Sequence, residues 1–239
     1  MDDHKGWKSK KVADYYKKVI DFIIPGRRDI LDIIARIATE FKKDNLKVLD
    51  IGCGHGDVTA EILKHNGDAA VTLLDYSDEM IKSSKDRFKD NNKVRILQCD
   101  LNKGLPVAFS NEHFDVVVSC FAIHHIDYEN RVKLYDNINK VLHENSFFIN
   151  GDMFKGDSPR MHEWEFDNWI SWMRIKIKEC MGKDKTFAEI KERQLRNFKN
   201  NGDMPGTVWE MYRDLKQARF KSVDCMMKIQ NLAIIVAEK

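Results

Sequence analysis

The chain has 239 residues, enough for one domain of ordinary size with a full hydrophobic core. Forty basic against 38 acidic side chains leave a formal net charge of +2, too small to point by itself to a nucleic-acid partner. Cys53, Cys99, Cys120, Cys180 and Cys225 form no CxxC pair, which argues against a zinc site or a disulfide framework.

No leader-like segment and no apolar run long enough to span a bilayer is present, so no membrane partner and a reducing cytoplasm are the expectation. Two mild basic biases exist. Residues 1–18 carry six Lys against three Asp, and residues 155–221 carry 15 Lys and Arg against 11 Asp and Glu. Solvated helix faces explain them as well as phosphate contacts would.

In chain order, residues 8–24 predict an amphipathic helix with Val12, Tyr15, Tyr16, Val19, Ile20 and Ile23 at helical spacing. Pro25-Gly26 breaks it, and Asp29–Phe41 predicts a second helix. Val48-Leu49-Asp50-Ile51 then reads as a buried strand running into Gly52, Gly54 and Gly56, with a helix predicted over Asp57–His65. Glycines at alternate positions let a ligand approach the backbone at a helix N-terminus.

The loop reads GxGxG, whereas the dinucleotide fingerprint is GxGxxG, and Asp50 precedes it. A carboxylate there repels a pyrophosphate and suits a cationic neighbour such as the amino and sulfonium groups of S-adenosylmethionine. The next strand, Val71–Leu74, ends in Asp75, placed to accept hydrogen bonds from both ribose hydroxyls. Asp78 is expected to cap a helix over Glu79–Lys89.

These motifs make residues 45–150 resemble a class I S-adenosylmethionine-dependent methyltransferase. VLDIGCGHG matches the family's first motif and LLDYSDEM its second. RILQCDL, ending at Asp100 and Leu101, is similar to the third, whose acid meets the adenine amino group. FDVVVSCFAIHHI (Phe114–Ile126) resembles the fourth, where the strand ends under the methionine part of the cofactor. VLHENSFFIN (Val141–Asn150) resembles the helix end, turn and fifth strand, with Glu144-Asn145-Ser146 replacing the usual turn glycines.

The resemblance implies an α/β fold: a Rossmann-like, doubly wound, seven-stranded sheet. It has a C-terminal antiparallel hairpin and helical additions at the N-terminus and between strands five and six. It also implies S-adenosylmethionine as cofactor and S-adenosylhomocysteine as product. The cofactor-binding residues it implies are Tyr16, Asp50, Gly52, Cys53, Gly54, Gly56, Asp75, Tyr76, Met80, Asp100, Leu101 and Ser119. Tyr15 or Tyr16 on the first helix would touch the methionyl carboxylate. Arg27 and Arg28 would pair with that carboxylate or an acidic acceptor, or lie on the surface. His55 is expected at solvent or the cofactor edge.

Phe220–Ile229 and Leu232–Glu238 are similar to the family's closing hairpin. Before it, helices are expected over Glu163–Met181, Lys185–Asn200 and Val208–Ala218. They exceed what a bare core needs and form a candidate lid or acceptor layer. Trp164, Trp169 and Trp172 either pack that layer on the core or wall the acceptor. One domain is therefore expected over 1–239: a helical cap at 1–43, a cofactor core at 44–150, the helical insertion at 151–218 and the hairpin at 219–239. The paired helices before the first strand and the C-terminal insertion also resemble the enzyme that makes carboxy-S-adenosylmethionine for tRNA wobble-uridine modification, whose glycine loop differs from GCGHG.

The expected chemistry is in-line transfer of a methyl group to an acceptor held about 3 Å away, with water excluded. His124 and His125, just after the fourth strand, are the candidate general bases; packing or loop capping is their alternative role. No metal is expected, because the His and acids lack ligand spacing. A small-molecule acceptor is the leading expectation, with RNA or a carboxylated cofactor as alternatives, and the chain is expected as monomer or homodimer.

Overall fold

Leu49 and Ile51 face one side of β1 (Lys47–Ile51), Val48 faces the other, and both sides are buried, so this strand belongs at the centre of a covered sheet. A computed structural model, which describes residues 10–40, 42 and 44–239 but not the side chains of 10–14 and 16, places it there. The seven strands run in the order β3-β2-β1-β4-β5-β7-β6. The first five, β1, β2 (Ala70–Asp75), β3 (Val94–Gln98), β4 (Phe114–Cys120) and β5 (Leu142–Met153), pair parallel. β7 (Leu232–Glu238) runs antiparallel between β5 and β6 (Ser222–Ile229). This is the expected Rossmann-like doubly wound sheet with its closing hairpin.

Helices cover both faces. Ile30, Leu31 and Ile34 of α2 (Arg27–Glu40) and Val58 and Ile62 of α3 (Asp57–His65) pack on Val48, Val71, Val116 and Val118. Leu134 and Ile138 of α5 (Tyr128–Val141) and Leu215 of α8 (Val208–Gln217) pack on Leu49, Val117 and Phe148. Between β2 and β3 runs α4 (Asp78–Phe88); its cap is Ser77, whose side chain accepts from the Met80 N–H, so the cap lies one residue before the expected Asp78. The expected turn at Glu144-Asn145-Ser146 is absorbed into β5, where Asn145 takes the left-handed backbone (φ +59°) that a turn glycine would supply.

The helical additions join each other. Phe166, Trp169, Ile170 and Met173 of α6 (Pro159–Met181) and Ile190 of α7 (Phe187–Asn201) form a third apolar cluster. Trp169 Nε1 donates to the Ile23 carbonyl (2.8 Å) and Trp172 Nε1 to the Phe22 carbonyl (3.2 Å). Two tryptophans thus tie the insertion to the C-terminal end of α1 (Lys10–Ile23), while Trp164 stays exposed. No helix among the described residues is long and apolar enough to cross a membrane.

Candidate active site

A cleft opens at the carboxyl ends of β1, β2 and β4, where doubly wound sheets bind ligands. Asp50, Gly52, Cys53, Gly54, Asp75, Tyr76, Met80, Asp100 and Leu101 line it, together with Arg27, Asp57, Phe121 and His125. Gly52, Gly54 and Gly56 all have positive φ (+67°, +55° and +82°). A Cβ on Gly52 would fall 2.2 Å from the Ala122 Cβ, and one on Gly56 2.4 Å from the Phe88 ring, whereas Gly54 has open space. Gly52 and Gly56 therefore close the loop against its neighbours, and Gly54 leaves backbone accessible.

Asp75 braces this loop. Its Oδ2 accepts the Gly54 N–H and its Oδ1 the Ser77 N–H, both at 2.8 Å. Burial raises its pKa in spite of those amides. Asp50 is fully buried and its pKa is pushed up to about 7, first by burial and then by the Asp75 charge, against the Thr59 hydroxyl donating at 2.6 Å. Its Oδ1 has no hydrogen-bond partner among the described residues. An uncompensated carboxylate oxygen beside an open glycine backbone suits a cation at the loop, which is the fit S-adenosylmethionine requires and a pyrophosphate does not.

Arg27, at the start of α2, is buried. It bridges Asp21 (2.6 Å) and Asp57 (2.5 Å), so it joins α1 to the N-terminus of α3 along the cleft wall. Asp57 itself is held far below the usual carboxylate range: His55, Arg27 and Arg87 overcome its burial. Arg28 pairs with Asp21 on the exposed side and does not line the cleft.

After β4 the chain makes a 3-10 turn, Ile123–His125. His124 Nδ1 lies 2.5 Å from Asp152 Oδ1, and both are buried. Burial works against its charged form, yet Asp152 raises its pKa, and Asp152 in turn is held low by the histidine. His125 Nδ1 lies 2.8 Å from Asp203 Oδ1. Burial, then the neighbouring His124 charge, lowers its pKa in spite of Asp203. The two rings sit 4.0 Å apart with one pulled toward the charged and the other toward the neutral form.

Beyond the histidines lies a second cavity of about 450 Å³ between α1, α6 and α7. Ile20, Ile23, Trp169 and Phe198 give it apolar walls; Gln194 and Asn197 supply amides. Arg193 lines it as well, its guanidinium 5.0 Å from the Tyr15 ring. Among the described residues, Phe121 and His125 are the two that line both this cavity and the cofactor cleft.

Not every residue expected at the cofactor reaches the cleft. Ser119 is fully buried within β4 and absent from the lining; the pleat points it away and presents Cys120. Gly56 shapes the loop from behind, against Phe88. His124 faces the second cavity alone, and the Tyr16 side chain falls outside the described residues. Sequence reasoning also missed Asp152 and Asp203. Asp152 carried a weak signal, a buried acid near the end of β5, after the apolar run Phe147, Phe148 and Ile149. Asp203 sits in a polar turn that looks unremarkable until the Met204 N–H is seen donating to the His124 carbonyl (2.7 Å) and Arg131 spanning the Ile126 and Met204 carbonyls.

A family model described as a methyltransferase domain matches residues 48–145. The chain is 23% identical over 235 residues to the carboxy-S-adenosyl-L-methionine synthase of Citrobacter koseri, covering 96% of this chain and 90% of that protein. It is also 23% identical over 238 residues to the enzyme of the same name from Nautilia profundicola. Among solved structures, a putative O-methyltransferase from Nostoc punctiforme superposes with a TM-score of 0.64 at 19% identity, and PigF with SAH with 0.64 at 14%. These cover 95% and 98% of this chain but only 60% and 61% of theirs, and at such identities they establish the shared fold.

Proposed function

We propose that this chain is a class I S-adenosylmethionine-dependent methyltransferase that transfers the cofactor's methyl group to a small-molecule acceptor held in the second cavity. The observation that carries this reading is the junction: Phe121 and His125 line both spaces, so a methyl group presented from the cleft meets a molecule in the cavity there. The volume suits a small ligand.

The bound cofactor supplies a methyl group already activated on a sulfonium. The protein has to orient, desolvate and move a proton. Asp75 braces the loop and would receive the ribose hydroxyls, Asp50 would supply negative charge for the amino and sulfonium groups, and Asp100 would accept from the adenine amino group. Cys53, Gly52, Gly54, Tyr76, Met80 and Leu101 complete that surface. His125, kept neutral, accepts the acceptor's proton as the new bond forms, while Asp203 holds its ring. His124 is a positioning residue, fixed by Asp152 behind the turn.

A second reading rests on two observations. The relatives covering 96% of the chain are named carboxy-S-adenosyl-L-methionine synthases. Arg193 lines the second cavity with no carboxylate partner among the described residues, and could receive a carboxylate carried by the cofactor. Mass analysis of the cofactor after incubation with a metabolite extract separates the two. Loss of the methyl group supports methyl transfer. Gain of one carboxyl group supports the second reading and overturns the first.

A further inference from the structure

Phe121 has the backbone of a glycine. Its φ is +54°, in the left-handed region that is unfavourable for a bulky side chain. The surrounding structure holds it there. Its N–H donates to the Gly151 carbonyl (2.9 Å), which fixes the end of β4 to β5. The next residue, Ala122, sits in the space that a Cβ on Gly52 would fill, so the glycine loop clamps the segment from the other side. An unfavourable conformation kept at the junction of two cavities is the kind of strain that clusters at functional sites.

From this geometry we propose that Phe121 is a positioning residue: its ring is the wall between cofactor cleft and acceptor cavity, and it limits what can stand on the cofactor's sulfur. This rests on the methyl-transfer reading above. His125, the other shared residue, has polar work to do, whereas Phe121 offers only shape and water exclusion. The left-handed turn is what carries its side chain to the junction as the chain leaves β4; a residue in ordinary strand geometry would continue the pleat.

The test needs no acceptor. Affinities for S-adenosylmethionine and for its analogue with benzyl in place of the sulfur-bound methyl are measured by calorimetry in the wild type, Phe121→Leu, Phe121→Ala and Phe121→Gly. The wild type is expected to prefer the methyl compound strongly. Phe121→Gly and Phe121→Ala should narrow that preference about tenfold or more, with Phe121→Leu in between. Thermal melting supplies a second readout: Phe121→Gly should melt above Phe121→Ala, the reverse of their usual order, because only glycine relieves the backbone. An unchanged benzyl-to-methyl ratio in the folded variants, or Phe121→Ala melting above Phe121→Gly, would overturn the proposal. If neither small variant folds, the ring is a core residue and the proposal fails. Failure of the methyl-transfer reading would show separately, as absence of transfer in the wild type.

Discussion

At Asp50 the protein places a carboxylate where water cannot reach it and leaves one oxygen unmatched. Its pKa of about 7 lies above the unfolded value of 3.8, so the protonated form is favoured on folding. The stability this contributes is complete below about pH 4 and is lost as pH rises through 7. A cationic ligand needs the opposite, ionised form. S-adenosylmethionine affinity should therefore strengthen as pH rises from about 6 to 8, approaching tenfold per unit below pH 7 and levelling above it. Titration calorimetry across that range checks it, and Asp50→Asn should flatten the curve. At His125 burial holds the imidazole neutral at lower pH than a free histidine. Methyl transfer should accordingly keep its rate down to below pH 6.5 on the acid side. His125→Gln should lower it about 100-fold, within the usual range for a general base, with cofactor affinity nearly intact; an equal loss of affinity would move His125 into the cofactor site.

At the scale of elements, the glycine loop and the insertion carry the argument. Gly52→Ala places a Cβ 2.2 Å from Ala122 and a side chain at φ +67°, which together should cost about 2–5 kcal/mol. Denaturant unfolding measures this, and a loss below about 1 kcal/mol would mean that the loop and the β4 exit are not packed as described. Thr207 caps α8 through a reciprocal box with Glu210, just after the turn that holds Asp203. Thr207→Ala should cost about 1 kcal/mol and reduce transfer more than cofactor binding, since it loosens the partner of His125.

The loop was legible in the sequence because its causes lie within a few residues: alternating glycines, a preceding acid and a following helix. The burial of β1 was legible for the same reason, from the run Val48, Leu49 and Ile51 ahead of the glycines. Asp152 and Asp203 were not. They become functional only when strand five and the turn after α7 reach the histidines, and no local pattern records that meeting. Ser119 was misplaced because a motif names a strand end without stating which residue its pleat turns inward. The Phe121 backbone had no sequence signal either, since the restraint comes from Gly52 and Gly151 across the sheet.

At the scale of the whole molecule, the carboxyl ends of the central parallel strands present the cofactor cleft, and α1, α6 and α7 line a second cavity beside it. The tryptophan anchors, from Trp169 to Ile23 and from Trp172 to Phe22, connect parts of the chain about 150 residues apart. The acceptor space is therefore built from the additions to the core. A net charge of +2 and a partly apolar cavity of about 450 Å³ favour a small acceptor over a polynucleotide. The most direct measurement is transfer of label from methyl-labelled S-adenosylmethionine into an extract separated into metabolite and RNA fractions. Transfer to a small molecule predicts label in the metabolite fraction, dependent on His125. Label confined to RNA, or cofactor binding without transfer to either fraction, would contradict it.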